Sequence, residues 1–114
     1  MSRASNQSDF ALVDAAPVFA ALGDSTRLRL VSRLCVDGPL SITRLSENGG
    51  MTRQAITKHL KALAQVGLVR DRRHGRERIW ELEPKPLDQA KQCLDHISAQ
   101  WDDALARLRA FVER

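Results

Sequence analysis

The feature that most constrains the fold is a seven-residue apolar repeat near the C-terminus. Two sets of apolar residues recur every seven positions, offset by three: Leu87, Leu94, Trp101 and Leu108, and Ala90, Ile97, Ala104 and Phe111. This a/d pattern predicts one long helix over residues 87–112, with an apolar seam that needs a partner surface. The helix would be roughly 39 Å long, and the other elements are too short to cover it. We therefore predict a homodimer interface along the seam, because closed two-fold dimers are the commonest solution for such a surface. Packing of part of the seam against the chain's own domain is the alternative.

The sequence ahead of this helix predicts four shorter helices and a β-hairpin. An apolar segment over residues 10–22 forms the first helix, and Asp24 caps a second whose apolar stripe is read from Leu28, Val31, Leu34 and Cys35. Ser41 caps a short third helix, and Thr52 caps a fourth that Gly67 ends. Two extended segments, residues 68–74 and 76–82, then meet at Gly75 as a hairpin. A stiff proline-containing connector over residues 83–86 leads into the long helix.

The expected fold is therefore mainly α with a small β-hairpin, in the order α-α-α-α-β-β-α. Residues 10–114 are predicted to form one domain behind a loose polar tail, residues 1–9. No apolar run approaches the roughly 18–20 residues needed to cross a membrane, and the polar start lacks the apolar stretch of a secretory signal. We expect a cytoplasmic protein with no membrane partner.

Residues 41–66 have the spacing of a helix-turn-helix: a short helix, a glycine-containing turn and a longer helix. On the longer helix, Ile56, Leu60 and Leu63 form the stripe expected to be buried. The opposite face is free of apolar residues and carries Gln54, Thr57, Lys58 and Lys61, with Arg53 beside them. Glutamine can pair bidentately with adenine, and the cations suit guanine or phosphate. This pattern is typical of a recognition helix in the DNA major groove, although a solvated helix face has the same polarity.

The positive charge of the chain is concentrated in one segment. Residues 51–78 carry eight Lys or Arg against Asp71 and Glu77, while the segments before and after are neutral and weakly acidic. Such a concentration is the footprint of a polyanion-binding surface. The hairpin tip is expected to project into solvent and to contact the DNA backbone or minor groove. The predicted DNA-contacting residues are Thr52, Arg53, Gln54, Thr57, Lys58, His59, Lys61, Arg72, Arg73, Arg76 and Arg78.

Two other classes of function compete with double-stranded DNA binding. One is a protein-interaction module that uses the helix-turn-helix only as a scaffold. Such a module would not need all of its surplus positive charge on the hairpin and the recognition face. An enzyme needs a nucleophile or a paired acid and base, but the three histidines lie on the recognition helix, the hairpin tip and the last helix without a Ser/Asp framework. We predict no enzymatic activity.

Three segments resemble the ArsR-type family of bacterial winged helix-turn-helix regulators: residues 21–28 (ALGDSTRL), 51–60 (MTRQAITKHL) and 64–69 (AQVGLV). The resemblance covers about residues 17–82, and the last helix by architecture. It implies a homodimer joined by the first and last helices, and repression by occupying a promoter until a signal arrives. In the family the histidine at His59 commonly accompanies DNA binding. A partly buried histidine held by its neighbours is the alternative at this position.

The chain departs from the family's metal-site motifs. Metal-sensing members carry Cys-x-Cys on the third helix, where residues 45–48 read LSEN, and zinc-sensing members place Asp and His pairs along the last helix, where only Asp95-His96 occurs. We therefore predict no metal and no cofactor, and the effector stays unidentified. Cys35 and Cys93 lie on the helices that carry the cysteines of thiol-sensing members, so a redox-responsive repressor is an alternative. The simpler interpretation is two buried thiols that act as small hydrophobes.

Overall fold

The computed structural model describes residues 14–47 and 50–113, so the predicted tail, residues 1–9, lies outside the described part. A first helix, α1, covers residues 14–22 of that part, and residues 10–13 of the predicted first helix lie outside it. The remaining elements follow in the order α2 (Ser25–Asp37), β1 (Leu40–Ser41), α3 (Ile42–Ser46), α4 (Arg53–Gln65), β2 (Val69–His74), β3 (Glu77–Leu82) and α5 (Pro84–Val112). This is the predicted winged helix-turn-helix order, with one additional strand.

Each of the three predicted N-caps forms. The side chain of Asp24 accepts a hydrogen bond from the backbone N–H of Arg27. In the same way, the Ser41 side chain accepts from the backbone N–H of Arg44, and the Thr52 side chain accepts from the backbone N–H of Ala55. These bonds satisfy amide groups that have no partner within the first turn of a helix. At the other end of α4, Gly67 has a φ of 78°, a left-handed conformation that favours glycine, and so turns the chain into β2.

The additional strand, β1, makes the hairpin the outer part of a three-stranded antiparallel sheet in the order β1-β3-β2. Leu40 pairs with Trp80, and Ser41 with Ile79. Trp80 is only 3% exposed, so the base of the hairpin is anchored in the core. The pairing of β2 with β3 runs from Val69–Leu82 to His74–Glu77 and leaves the tip beyond the core. This anchored hairpin is the wing.

The core lies where α1, α2, α4 and the base of the sheet meet. Its most deeply buried large side chains are Leu60, Leu63 and Leu68. The stripe predicted for α2 was partly wrong, because Leu28 is 53% exposed and Cys35 is also exposed. These two residues are seven positions apart and share a helix face that points away from the core. The buried residues of α2 are Leu30, Val31 and Leu34.

The last helix begins earlier than predicted. Pro84 occupies its first turn, so residues 84–86 of the segment interpreted as a stiff connector are helical, and Glu83 is the N-cap. Proline fits there because the first N–H groups of a helix lack intrahelical partners in any case. In the described part of the chain, no helix is both long and apolar enough to span a membrane.

Only the first turns of α5 belong to the core. Leu87 packs against the core cluster and Ala90 is part of it, while Cys93 is also buried. Beyond Cys93 the helix extends away from the domain, and the molecule measures 65 × 33 × 20 Å.

Candidate nucleic-acid interface

The packing of α4 determines which of its side chains face outward. Ile56, Leu60 and Leu63 are buried on its inner face, as the spacing predicted. Gln54, Thr57, Lys58 and Lys61 then line one open depression on the outer face. These four side chains include amide and hydroxyl groups that hydrogen-bond to base edges and two cations that suit guanine or phosphate.

This depression continues onto the wing. Lys61 also lines a second open depression, together with Ala64, Gln65, Asp71, Arg78 and Trp80. The depression on α4 and the depression beside the wing therefore adjoin at Lys61, and we call the residues that line the two depressions the basic groove. Its cations come from both α4 and β3.

Arg53, at the start of α4, contacts the preceding helix. Its Nη2 donates a hydrogen bond to Oγ1 of Thr43 at 2.6 Å. The Thr57 hydroxyl donates to the backbone carbonyl of Arg53 at 2.8 Å, a bond within the helix that leaves the hydroxyl on the outer face. The Arg53 guanidinium thus spans the turn between α3 and α4.

The wing arginines divide between two faces, because neighbouring residues of a strand point to opposite sides. Arg73 lies directly opposite Arg78 in the sheet and shares the face of Asp71, which lines the basic groove. Arg72 lies opposite Ile79 and shares the other face with Arg70. Arg76 lies in the turn between the strands. The sequence grouped these arginines as one tip, whereas the sheet separates Arg72 from the others.

Acidic neighbours offset the charge on the outer side of the wing. Nε of Arg70 donates a hydrogen bond to Oε1 of Glu81 at 2.9 Å. The same Nε lies 2.6 Å from Oε1 of Glu83, without hydrogen-bond geometry. Nε of Arg72 lies 3.6 Å from Oε1 of Glu81. On the groove side, Arg78 pairs with Asp71 at 3.1 Å. Within residues 14–47 and 50–113, Arg73 and Arg76 form no ion pair. These two are the wing cations most available to an anionic partner.

His59 points away from the basic groove. Its Nδ1 accepts a hydrogen bond from Nε of Arg27 at 3.4 Å and lies 3.8 Å from Oδ2 of Asp24. Arg27 also donates to the carbonyl of Ala21, at the end of α1. We call Asp24, Arg27 and His59 the interhelix cluster. The cluster joins α4 to the α1–α2 junction. His59 is therefore a partly buried histidine held by its neighbours, which was the alternative that the sequence offered at this position.

Neither cysteine of the described part of the chain forms a disulfide. Both thiols are free, with Cys93 buried and Cys35 exposed, so the interpretation of two buried thiols was wrong for Cys35. Among the described residues, no three His, Cys, Asp or Glu side chains are grouped as metal ligands.

The seam predicted on α5 is divided by the fold. Leu87 and Ala90 are taken up by the chain's own core, whereas Leu94, Ile97, Trp101, Leu108 and Phe111 are exposed, and Ala104 is half-buried. Leu105 and Val112, 37% and 74% exposed, widen the exposed stripe. Both occupy the e position of the heptad, which belongs to the same apolar face but which a strict a/d pattern leaves out. We call the apolar face from Leu94 to Val112 the distal seam.

Two further polar side chains at the site were not predicted from the sequence. Thr43 accepts the Arg53 hydrogen bond, and Asp71 pairs with Arg78 in the basic groove. The signal for Asp71 was its place among arginines on a strand. Thr43 had no local signal, because its contact depends on how α3 and α4 meet.

Comparison with known proteins shows that the chain is similar to helix-turn-helix transcriptional regulators. A family model described as a helix-turn-helix domain matches residues 22–72. The chain is 38% identical over 93 residues to the HTH-type transcriptional regulator Rv2034 of Mycobacterium tuberculosis, covering 82% of this chain and 83% of that protein.

Solved structures agree with this likeness. An ArsR-like transcriptional regulator from Rhodococcus sp. RHA1 superimposes with a TM-score of 0.71 at 35% identity, covering 88% of this chain and 93% of that one. The transcriptional repressor BigR from Xylella fastidiosa does so with a TM-score of 0.61 at 26% identity, covering 81% and 92%.

Proposed function

This chain belongs to the ArsR-type family of helix-turn-helix, DNA-binding transcriptional regulators, and from that premise we propose that it is a repressor that binds a specific operator as a homodimer. In this proposal α4 enters the major groove, the wing follows the adjacent backbone, and two copies join through α1 and α5. A cytoplasmic location goes with this role, because the target is chromosomal DNA.

The observation that carries the proposal is the continuity of the basic groove. Lys61 lines both of its halves, so side chains that suit base edges on α4 and cations of the wing share one surface. A duplex presents base edges in its grooves and phosphates along their rims, which matches this division. The residues proposed for principal DNA contacts are Thr52, Arg53, Gln54, Thr57, Lys58, Lys61, Arg73, Arg76 and Arg78. Arg72, on the other face of the wing, and His59, in the interhelix cluster, are proposed as weaker contacts.

Repression needs only that the protein occupy a promoter, and the structural relative BigR is a transcriptional repressor. The distal seam supports a homodimer, because monomeric soluble proteins rarely expose a long contiguous apolar face, and such faces mark interaction sites. Two copies related by a two-fold axis would place their α4 helices in successive major grooves, about 34–36 Å apart.

Selection from a random duplex pool tests the proposal. We expect enrichment of an inverted repeat whose half-sites are one helical turn apart, and an affinity that falls steeply with salt as phosphate counterions are released. Failure to enrich any sequence, together with duplex binding that does not respond to salt, would contradict it.

Alanine variants then test the assignment of roles. Gln54→Ala should weaken binding to the selected duplex more than to a scrambled one, by about 1–3 kcal/mol if the amide reads a base. Arg76→Ala should weaken both duplexes and reduce the salt slope by about one. Lys91→Ala, an exposed cation on α5, is the matched control and should change neither.

A further inference from the structure

A half-open cavity of about 360 Å³ lies between α2, α3 and the beginning of α4. It is lined by Thr26, Arg29, Leu30, Arg33, Leu45, Glu47, Met51 and Ile56. None of these residues belongs to the proposed DNA-contacting set. The volume falls in the range of small-molecule sites, which span roughly 300–1,000 Å³.

The cavity has an apolar floor. Leu30, Leu45 and Ile56 are 7%, 3% and 2% exposed, and half-buried Met51 completes this surface. Such a floor favours a ligand with a hydrocarbon or aryl body, because covering it with apolar atoms removes both surfaces from water.

One wall of the cavity is cationic. The α2 residues that line it are spaced i, i+3, i+4 and i+7, so one face of that helix supplies both arginines. Arg33 is already engaged, since it donates to the Leu45 carbonyl at 3.3 Å and pairs with Asp37 at 3.5 Å. Arg29 is exposed and forms no ion pair with any described residue. Its guanidinium is therefore available to an anionic group bound over the floor.

The remaining wall limits the charge of the ligand. Glu47 lines the cavity, and its carboxylate pairs with Arg44 at 3.6 Å rather than with either cavity arginine. A carboxylate brings one negative charge and fits the planar donor fork of arginine. Inorganic phosphate would bring more charge towards Glu47 and nothing to cover the floor. We propose that this cavity binds a small organic monocarboxylate, with its carboxylate on Arg29 and its apolar body on the floor.

Occupancy of the cavity would reach the recognition helix directly. Met51 immediately precedes Thr52, the N-cap of α4, and Ile56 lies one turn into that helix. A body wedged between α2 and these two residues shifts the start of α4 relative to α3, to which Arg53 is bonded. We infer that the ligand lowers the affinity for the operator, a coupling that works in both directions. This second half rests on the proposed function, whereas binding itself does not.

The chain offers a direct probe, because it contains only two methionines and one of them lines the cavity. Protein labelled at the methionine methyl groups should give two NMR signals. Titration with hexanoate, without DNA, should shift the Met51 methyl saturably and leave that of Met1 unchanged. Arg29→Ala should weaken this binding at least about tenfold, as expected for a hydrogen bond to a charged group. Arg107→Ala, an exposed arginine of α5, is the matched control and should leave it unchanged.

Hexanamide, which has the same chain but no charge, should bind much more weakly, and inorganic phosphate should not shift the Met51 methyl. The site is disproved if hexanoate does not shift the Met51 methyl signal at concentrations that leave the Met1 signal unchanged. It is also disproved if hexanamide binds as tightly as hexanoate, or if Arg29→Ala binds hexanoate as tightly as wild type. If Arg29→Ala weakens duplex binding while hexanoate leaves Met51 unmoved, Arg29 is a DNA-phosphate contact and the site is equally disproved. Saturable hexanoate binding that leaves duplex affinity unchanged overturns the coupling alone.

Discussion

Asp24 connects the beginning of α2 to the recognition helix. Its Oδ2 accepts a hydrogen bond from the backbone N–H of Arg27 at 3.1 Å and lies 3.8 Å from Nδ1 of His59. The hydrogen bond from the Arg27 backbone N–H is the main cause that lowers the pKa of Asp24, partial desolvation opposes it, and the charge of the Arg27 guanidinium lowers the pKa further. The ionised carboxylate is therefore favoured in the folded protein.

Asp24→Asn should make the stability of the protein less sensitive to acid. The pKa of Asp24 is lower in the folded protein than in the unfolded chain. Its contribution to stability is therefore complete above the unfolded pKa of about 3.9, and it is lost as the pH falls through the folded pKa. Asparagine still caps the helix but does not titrate. Urea denaturation between about pH 6 and pH 3 should show a smaller decline in the free energy of unfolding than in wild type. Asp102→Asn, on exposed α5, is the control; an unchanged decline in Asp24→Asn would contradict the prediction.

Adjacent residues of α4 should separate stability from DNA binding. His59→Ala removes the acceptor of the Arg27 hydrogen bond and should lower the free energy of unfolding by about 1 kcal/mol. Lys58→Ala changes an exposed groove residue and should alter stability by less than about 0.5 kcal/mol while weakening duplex binding. Urea denaturation and duplex titration of both variants check this. The opposite ranking would make His59 a principal DNA contact.

The residues that sequence predicted correctly are those with local causes. A cap such as Thr52 bonds to an amide three residues away, so its role is visible in the sequence. Arg53–Thr43 and Arg27–His59 are ten and 32 residues apart, and they depend on how helices cross. The outer face of α4 was predictable, whereas the sequence left His59 open between a DNA contact and a partly buried position, and only the structure supplies its partners.

At the scale of elements, the wing is a two-sided structure. Arg72 shares one face with Arg70 and lies 3.6 Å from Glu81. Arg73 shares the groove face with Arg78. Exposed ion pairs contribute little to stability, but a carboxylate beside an arginine reduces its local positive potential. The two adjacent arginines should therefore differ in their contribution to DNA binding.

Arg73→Ala should weaken binding to any duplex and reduce the slope of log affinity against log salt by about one, as expected for a lost phosphate contact. Arg72→Ala, with the same charge change on the other face, should have a clearly smaller effect on both quantities. Fluorescence titration of a labelled duplex at several salt concentrations measures them. Equal effects would mean that both faces of the wing meet the backbone.

Two element boundaries show where sequence patterns were insufficient. β1 is two residues long and exists because Leu40 and Ser41 pair with β3, so no periodicity could reveal it. The start of α5 at Pro84 was missed because proline is compatible with both a connector and a first helical turn. The hairpin itself was predicted, since its strands and its turn at Gly75 are contiguous in sequence.

At the scale of the whole molecule, the same helix serves two packing environments. The heptad spacing predicted the apolar stripe of α5, but it did not predict where the chain's own core would end. That limit depends on the total volume packed around Leu87 and Ala90. From Leu94 onward the stripe has no covering among the described residues and is open to a second copy.

Trp101→Ala should therefore weaken the proposed dimer. Trp101 is 63% exposed in the distal seam, and its neighbour Asp102 lies off the seam, so Asp102→Ala is a matched control. Each large apolar side chain contributes about 1.5–3 kcal/mol when buried, and a two-fold interface loses two of them, so the dimer Kd should rise about 100-fold or more. Sedimentation equilibrium measures this Kd, and far-UV circular dichroism checks that both variants remain folded. Duplex binding by Trp101→Ala should then require higher protein concentrations, because two half-sites are held together only when the copies associate. A wild-type protein that stays monomeric, or equal Kd values for the two variants, would contradict the assignment of the distal seam to a second copy.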